Sequence, residues 1–139
     1  MNRIAAILTI AVLGTVCGTA LTAQTLMPLP AQTGTFSGNV RGYWFTAPSD
    51  FTITGLRVPT DASTAAQSIE VVSFGTTPPP TFSTTTNAFT SLFRVVNDAT
   101  TNILTVNIAV TSGEVIGVLG VRGDINSYAS GAPHTSTIN

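Results

Sequence analysis

Apolar and polar positions alternate along much of this chain. In residues 103–110, Leu104, Val106, Ile108 and Val110 face one way while Thr105, Asn107 and Ala109 face the other. A two-residue period of this kind predicts a strand with one buried face. Residues 35–60 carry the densest version of the pattern. Tyr43, Trp44 and Phe45 stand in a row, Pro48-Ser49-Asp50 makes a corner, and Phe51 and Ile53 alternate with Thr52 and Thr54. After Gly55 the phase changes, and Leu56 and Val58 become the apolar pair. One extra residue at Thr54-Gly55 would do this, which predicts a β-bulge.

The remaining segments read as follows. Residues 67–74 are apolar on both sides, with Ile69 and Val71 on one and Val72 and Phe74 on the other, which predicts a central strand. Residues 75–86 hold three consecutive prolines, so they form a surface loop rather than a strand or helix. A strand is expected from about Ser91 to Asn97, then a tight turn over 98–102. Thr111-Ser112-Gly113 turns the chain, and 114–122 returns as an apolar strand. Gly117 and Gly120 in that strand predict that a backbone or a ligand comes close. Residues 59–66 read as a polar loop with room for one helical turn, and 123–127 as another loop. Strand fragments are expected at 128–130 and 135–138. Seven to nine short strands and no amphipathic helix after residue 23 predict an all-β chain, an antiparallel β-sandwich.

Composition changes the picture at two points. Only 8% of the 139 residues are charged, with five arginines, no lysine and six acids. A typical soluble domain has about 25%. Threonine, serine, asparagine and glycine must therefore cover the surface, and threonine prefers strands. The formal charge of −1 supplies no basic patch, so no nucleic-acid partner is expected.

The N-terminus carries its own signal. Arg3 precedes an apolar run from residue 4 to residue 16, and both Ala20 and Ala23 offer small residues for cleavage. This order is that of a secretory signal peptide, and the run is short for a bilayer span. Cleavage after Ala23 is expected, giving a signal peptide over 1–23, a proline-containing linker over 24–33 and a sandwich domain over 34–139. Membrane contact is then expected only during export. Cys17, the single cysteine, lies inside the signal, with Val16 and Gly14 where a lipoprotein signal needs a small and a leucine-like residue. The mature chain would hold no disulfide. Loss of Arg3 leaves four arginines against six acids, a formal charge of −2.

The segment LTVNIAVTSGEVIGVLGV, from Leu104 to Val121, resembles a pattern of secreted jelly-roll modules. In those a strand ends in a Gly-acid turn and an apolar strand follows. Some carbohydrate-binding modules and trimeric globular heads share it. The resemblance implies a jelly-roll-like sandwich and carries over no binding residue. The signal, the threonine-rich surface and the missing cysteines also look like exported bacterial proteins of the cell envelope.

Candidate chemistry is sparse. His134, the single histidine, sits in a polar tail, and no Gly-x-Ser-x-Gly elbow accompanies it. Five of the six acids, Asp50, Asp61, Asp98, Glu114 and Asp124, fall in or beside predicted turns. Glu70 is mid-strand, where a cross-strand pair with Arg57 or Arg94 is its expected role. No metal is expected beyond a loop calcium site at Asn97-Asp98 or at Asp124 and Asn126. Tyr43, Trp44 and Tyr128 are the aromatic candidates for stacking on a sugar. Neighbours on a strand point to opposite faces, so Trp44 is expected in the core and Tyr43 outside. Arg122-Gly123-Asp124 spells an integrin-read tripeptide and equally makes an ordinary turn. Low charge on apolar strands leaves sheet edges weakly protected, which favours homo-oligomers or fibres. No Asn-x-Ser/Thr acceptor follows the signal. These features predict a secreted, non-enzymatic structural or adhesive protein of the envelope or extracellular matrix, extracellular or periplasmic, with a glycan or an envelope or matrix protein as partner. The alternatives are a carbohydrate-binding module and a secreted hydrolase.

Overall fold

The structure is a computed structural model that describes residues 26–27, 31–38, 40–81 and 83–129. The expected signal peptide, half of the expected linker, His134 and the expected strand over 135–138 lie outside the described residues.

Eight strands carry the described fold: β1 (Gly34–Ser37), β2 (Arg41–Thr46), β3 (Phe51–Leu56), β4 (Gln67–Ser73), β5 (Thr90–Asp98), β6 (Leu104–Val110), β7 (Val115–Arg122) and β8 (Ile125–Tyr128). Among the described residues there is no helix, and residues 59–66 form bends rather than the expected helical turn. Every strand pair is antiparallel, and the pairs nest: β1 with β8, β2 with β7, β3 with β6, β4 with β5. Nested pairing of the first strand with the last, the second with the next to last, and so inward is the wrapping order of a jelly roll. One further pairing, β4 with β7, closes the four-stranded ladder β2-β7-β4-β5. β8 joins this ladder only through Arg122 opposite Ile125, and β3-β6 forms a sheet of its own.

The core fills the space between that ladder and the β3-β6 pair. Ile69, Val71 and Ile116 from the ladder meet Leu56, Ile108 and Val110, with Phe45, Phe51, Phe93 and Val118 packed against them. β6 alternates as its sequence predicts, and β4 lies between two partners as its doubly apolar pattern requires. The β3-β6 register slips by one residue between Ile53 and Gly55, where the phase change predicts a bulge. The additional residue belongs to β6 and not, as expected, to Thr54-Gly55 on β3, because Ile53 faces Ile108 while Gly55 faces Thr105.

Two expectations need correction. Residues 123–127 are not a loop: Gly123 and Asp124 alone make the turn, and β8 starts at Ile125. Gly123 has φ 59°, a conformation open to glycine that lets two residues reverse the chain. Side chains, rather than another strand's backbone, come closest to the two strand glycines of β7. A Cβ at Gly117 would stand 2.8 Å from Val72 Cγ2 and 2.9 Å from Phe74, and one at Gly120 would stand 2.8 Å from Val58 Cγ2. The fold's own side chains fill those gaps.

The end of β7 holds an unusual anchor. Arg122 follows Ile116, Val118 and Gly120 on the core-facing side of the strand and is 1% exposed. Its Nε donates to Val58 O at 2.9 Å, and Nη1 donates to Ala65 O at 2.9 Å and Thr100 O at 3.3 Å. Nη2 donates to Gln67 Oε1 at 3.3 Å. Gln67, its buried cross-strand neighbour, accepts from Val58 N and donates to Thr100 O and Asn102 O. No described buried side-chain nitrogen or oxygen lacks a partner. Arg122→Ala removes a donor from four acceptors and leaves Val58 O and Ala65 O without it, while Thr100 O and Gln67 Oε1 keep their bonds to Gln67 Nε2 and Val58 N. A buried unsatisfied group costs about 1–3 kcal/mol, so chemical denaturation should show a loss of at least about 2 kcal/mol. Arg122→Lys should recover little of it, since a single ammonium cannot reproduce the planar fork. Retention of wild-type stability in Arg122→Ala would refute the anchoring role.

Candidate functional site

The ladder β2-β7-β4-β5 turns one face to the core and leaves the other outward. Residues two apart on a strand share a face. Register therefore arranges the outward residues in rows. Trp44 lies opposite Gly117, and Gly117 opposite Val72. In the next row Gly42 faces Leu119, Leu119 faces Glu70, and Glu70 faces Arg94. Beyond it Val121 faces Ser68. Val40, 52% exposed, and Val96, 55% exposed, flank this end, where a shallow groove of about 340 Å³ runs over Leu119, Val121 and Ser68. At the opposite end Phe74 lies over Gly117 and meets the Phe89 ring edge-on, centroids 6.1 Å apart.

Glu70 pairs with Arg94, one of its two expected partners, at 3.8 Å from Nε to Oε2. The pair is part-exposed, and such contacts contribute at most about 1 kcal/mol to folding. It sets one acid beside one base on a face that also carries Ser68 and the apolar Val40, Trp44, Val96, Leu119 and Val121.

The five sequence candidates do not form one surface. Trp44 is not in the core: it faces outward from the ladder and is 50% exposed. Tyr43 lies on the Phe45 side of β2, 38% exposed, so it remains at the surface as expected while stacking on Phe45 at 6.3 Å, and Phe45 stacks on Phe51 at 6.2 Å. This aromatic file decides the orientation of β2, because Phe45 and Tyr43 share a face and three rings outweigh one indole. Tyr128 sits on β8, exposed at its outer end, with its ring against Gly34. Asp124 is exposed in the β7–β8 turn, where its carbonyl accepts from Gly38 N. Asn126 is buried, 4% exposed, so it does not present a side chain to a ligand. The tripeptide Arg122-Gly123-Asp124 is also closed to a receptor, since its guanidinium is the buried anchor described above.

Of the loop oxygens expected to bind calcium, that of Asp98 serves the backbone. Asp98 Oδ1 accepts from Thr100 N at 2.8 Å, and Asn97, at φ 56°, donates its N–H to Ser68 Oγ. Among the described residues no three His, Cys, Asp or Glu side chains cluster. Sequence reading missed the outward row of Val40, Leu119 and Val96. The parity of β7, set by Ile116 and Val118, already places Leu119 opposite the core.

Comparison with family models, with curated proteins and with solved structures returns no match.

Partial burial on the Phe45 side of β2 pushes the Tyr43 phenol above its ordinary value of 10.0. The folded state then holds its proton where the unfolded chain has lost it, so stability falls as pH rises past the unfolded value. Denaturation midpoints measured from pH 8 to about pH 11 should decline more steeply for the wild type than for Tyr43→Phe. Identical slopes would place the phenol in water.

Proposed function

We propose that this chain is a secreted, non-enzymatic structural or adhesive protein of the cell envelope or extracellular matrix, and that it makes contact through the outward face of the β2-β7-β4-β5 ladder. The observation that carries the reading is Trp44, half-exposed on a flat sheet face whose far end is flanked by Val40 and Val96. Exposed apolar side chains gathered on one face mark interaction sites, and tryptophan is among the side chains most enriched where binding energy concentrates.

The non-enzymatic part is supported by how the acids are used. Asp50 Oδ1 accepts from Ser112 N, Asp61 from Ser127 Oγ, and Asp98 from Thr100 N. Glu114 accepts from Ser73 Oγ and Thr111 N, and Glu70 holds Arg94. Five of six carboxylates thus close turns or pair strands. Secretion is supported by the n-, h- and c-region order of residues 1–23.

A carbohydrate-binding module is the second reading, favoured by the exposed indole on a flat sheet, a platform on which a sugar ring stacks. Trp44 replaces Tyr43 as its contact residue. Co-sedimentation with the insoluble envelope or matrix of the secreting cells tests the first reading, and a glycan array the second. Wild type should be retained, Trp44→Ala should lose roughly tenfold in affinity, and Tyr128→Ala should match wild type. An array signal abolished in Trp44→Ala would favour the carbohydrate reading. Wild type retained by neither material would overturn both.

A further inference from the structure

We propose that the molecule covering this face is a second copy of the same chain, packed face to face about a two-fold axis, with Arg94 of each copy reaching Glu70 of the other. The inference rests on the reading of the ladder face as a contact surface and names its occupant.

Charge complementarity selects the occupant. A two-fold interface brings the same patch against itself, so residue i meets j and j meets i. A patch with a lone charge of either sign would meet its like and be repelled. This one carries one acid and one base in adjacent strands, Glu70 on β4 directly opposite Arg94 on β5. Turned on itself by a two-fold axis perpendicular to that pair, it sets each base against an acid. Within one copy only Arg94 Nε meets the carboxylate, at 3.8 Å, and the Arg94 side chain stays 67% exposed. Its terminal fork suits the bidentate grip on a partner carboxylate. Apolar area then closes around the charges: Val40 and Val96 as ridges, Leu119 and Val121 as the groove floor.

The structure also disfavours edge pairing at β5. The expectation of weakly protected edges fails for this strand. Between Gln67 and Ile69, and again between Val71 and Val72, the register slips, each time with the additional residue on β5. Asn97 in the first slip has φ 56°. Bulges interrupt the row of edge hydrogen-bonding groups that a second strand would need. Assembly through the ladder is thereby directed from its β5 edge to its face.

Sedimentation equilibrium on the full chain tests this, with Glu70→Arg, Arg94→Glu, an equimolar mixture of the two, and Val96→Glu, each checked for its β spectrum. Wild type should be a dimer. Each charge variant alone should dissociate, with Kd raised at least about thirtyfold, because every pair across the axis becomes like-charged. The mixture should restore the dimer, since one variant then supplies two bases and the other two acids, an outcome that an intramolecular pair alone cannot produce. Val96→Glu should also dissociate. A wild type that is monomeric at about 100 μM overturns the proposal. So does a dimer indifferent to all three substitutions, or a folded mixture that stays monomeric. A monomer whose envelope retention is still lost in Trp44→Ala, or whose glycan signal is lost there, sinks the second copy and leaves the contact face standing.

Discussion

A single guanidinium ties this jelly roll together at one end. Arg122 reaches the loop after β3 through Val58 and Ala65, the loop before β6 through Thr100, and β4 through Gln67. These segments are far apart in sequence, and each needs partners for backbone carbonyls turned inward. Arginine can meet them together because it offers five donors in a rigid plane and keeps its charge. Its acceptors here are three carbonyls and one amide oxygen, so the buried cation is held by dipoles rather than by a carboxylate. In a chain with 8% charged residues, that use of one charge is consistent with the general economy of ions. Gln67 completes the arrangement by satisfying Val58 N, Thr100 O and Asn102 O on the same side.

From that anchor the rest of the architecture follows. Gln67 and Arg122 are paired across β4 and β7, which fixes the register of the two central strands. Ile69 then meets Gly120 and Val71 meets Val118, placing the apolar row against β3 and β6. The same register sets Glu70 beside Leu119 and Ser68 beside Val121 on the opposite face. A slip of one residue would exchange the two faces. The contact surface is thus a consequence of how the core is aligned, and its acid–base pair sits where it does because β5 is bulged on both sides of Arg94.

Much of the fold was legible, and what was not has identifiable causes. The alternation of residues 104–110, the doubly apolar 67–74 and the phase change at Gly55 all map onto observed features, because each is a local record of which side is dry. The nested strand order is not local, and no residue spells it. On β2, adjacency required Tyr43 and Trp44 to face apart but did not say which way. Size pointed Trp44 inward, whereas Phe45, two residues from Tyr43 and opposite Phe51, decided the matter. Arg122-Gly123-Asp124 turned out to be the ordinary turn that the sequence also allowed, and the parity of Ile116, Val118 and Gly120 carries the Arg122 side chain inward. Residues 123–127 carry no apolar alternation to announce a strand, yet Asn126 is buried on β8. Of the candidate site, the Glu70–Arg94 pair was foreseen; its apolar surroundings emerged only once two strands distant in sequence were set side by side.

The central claim is that a buried, fully partnered guanidinium holds two loops to the central strands. Hydrogen exchange at the Arg122 Nε–H and the Gln67 side-chain amide, followed by NMR in native buffer, probes it directly. Slow exchange of both, with protection close to that of the amides of β4 and β7, is the predicted result. An Arg122 Nε–H that exchanges as fast as that of an exposed arginine such as Arg94 would contradict it.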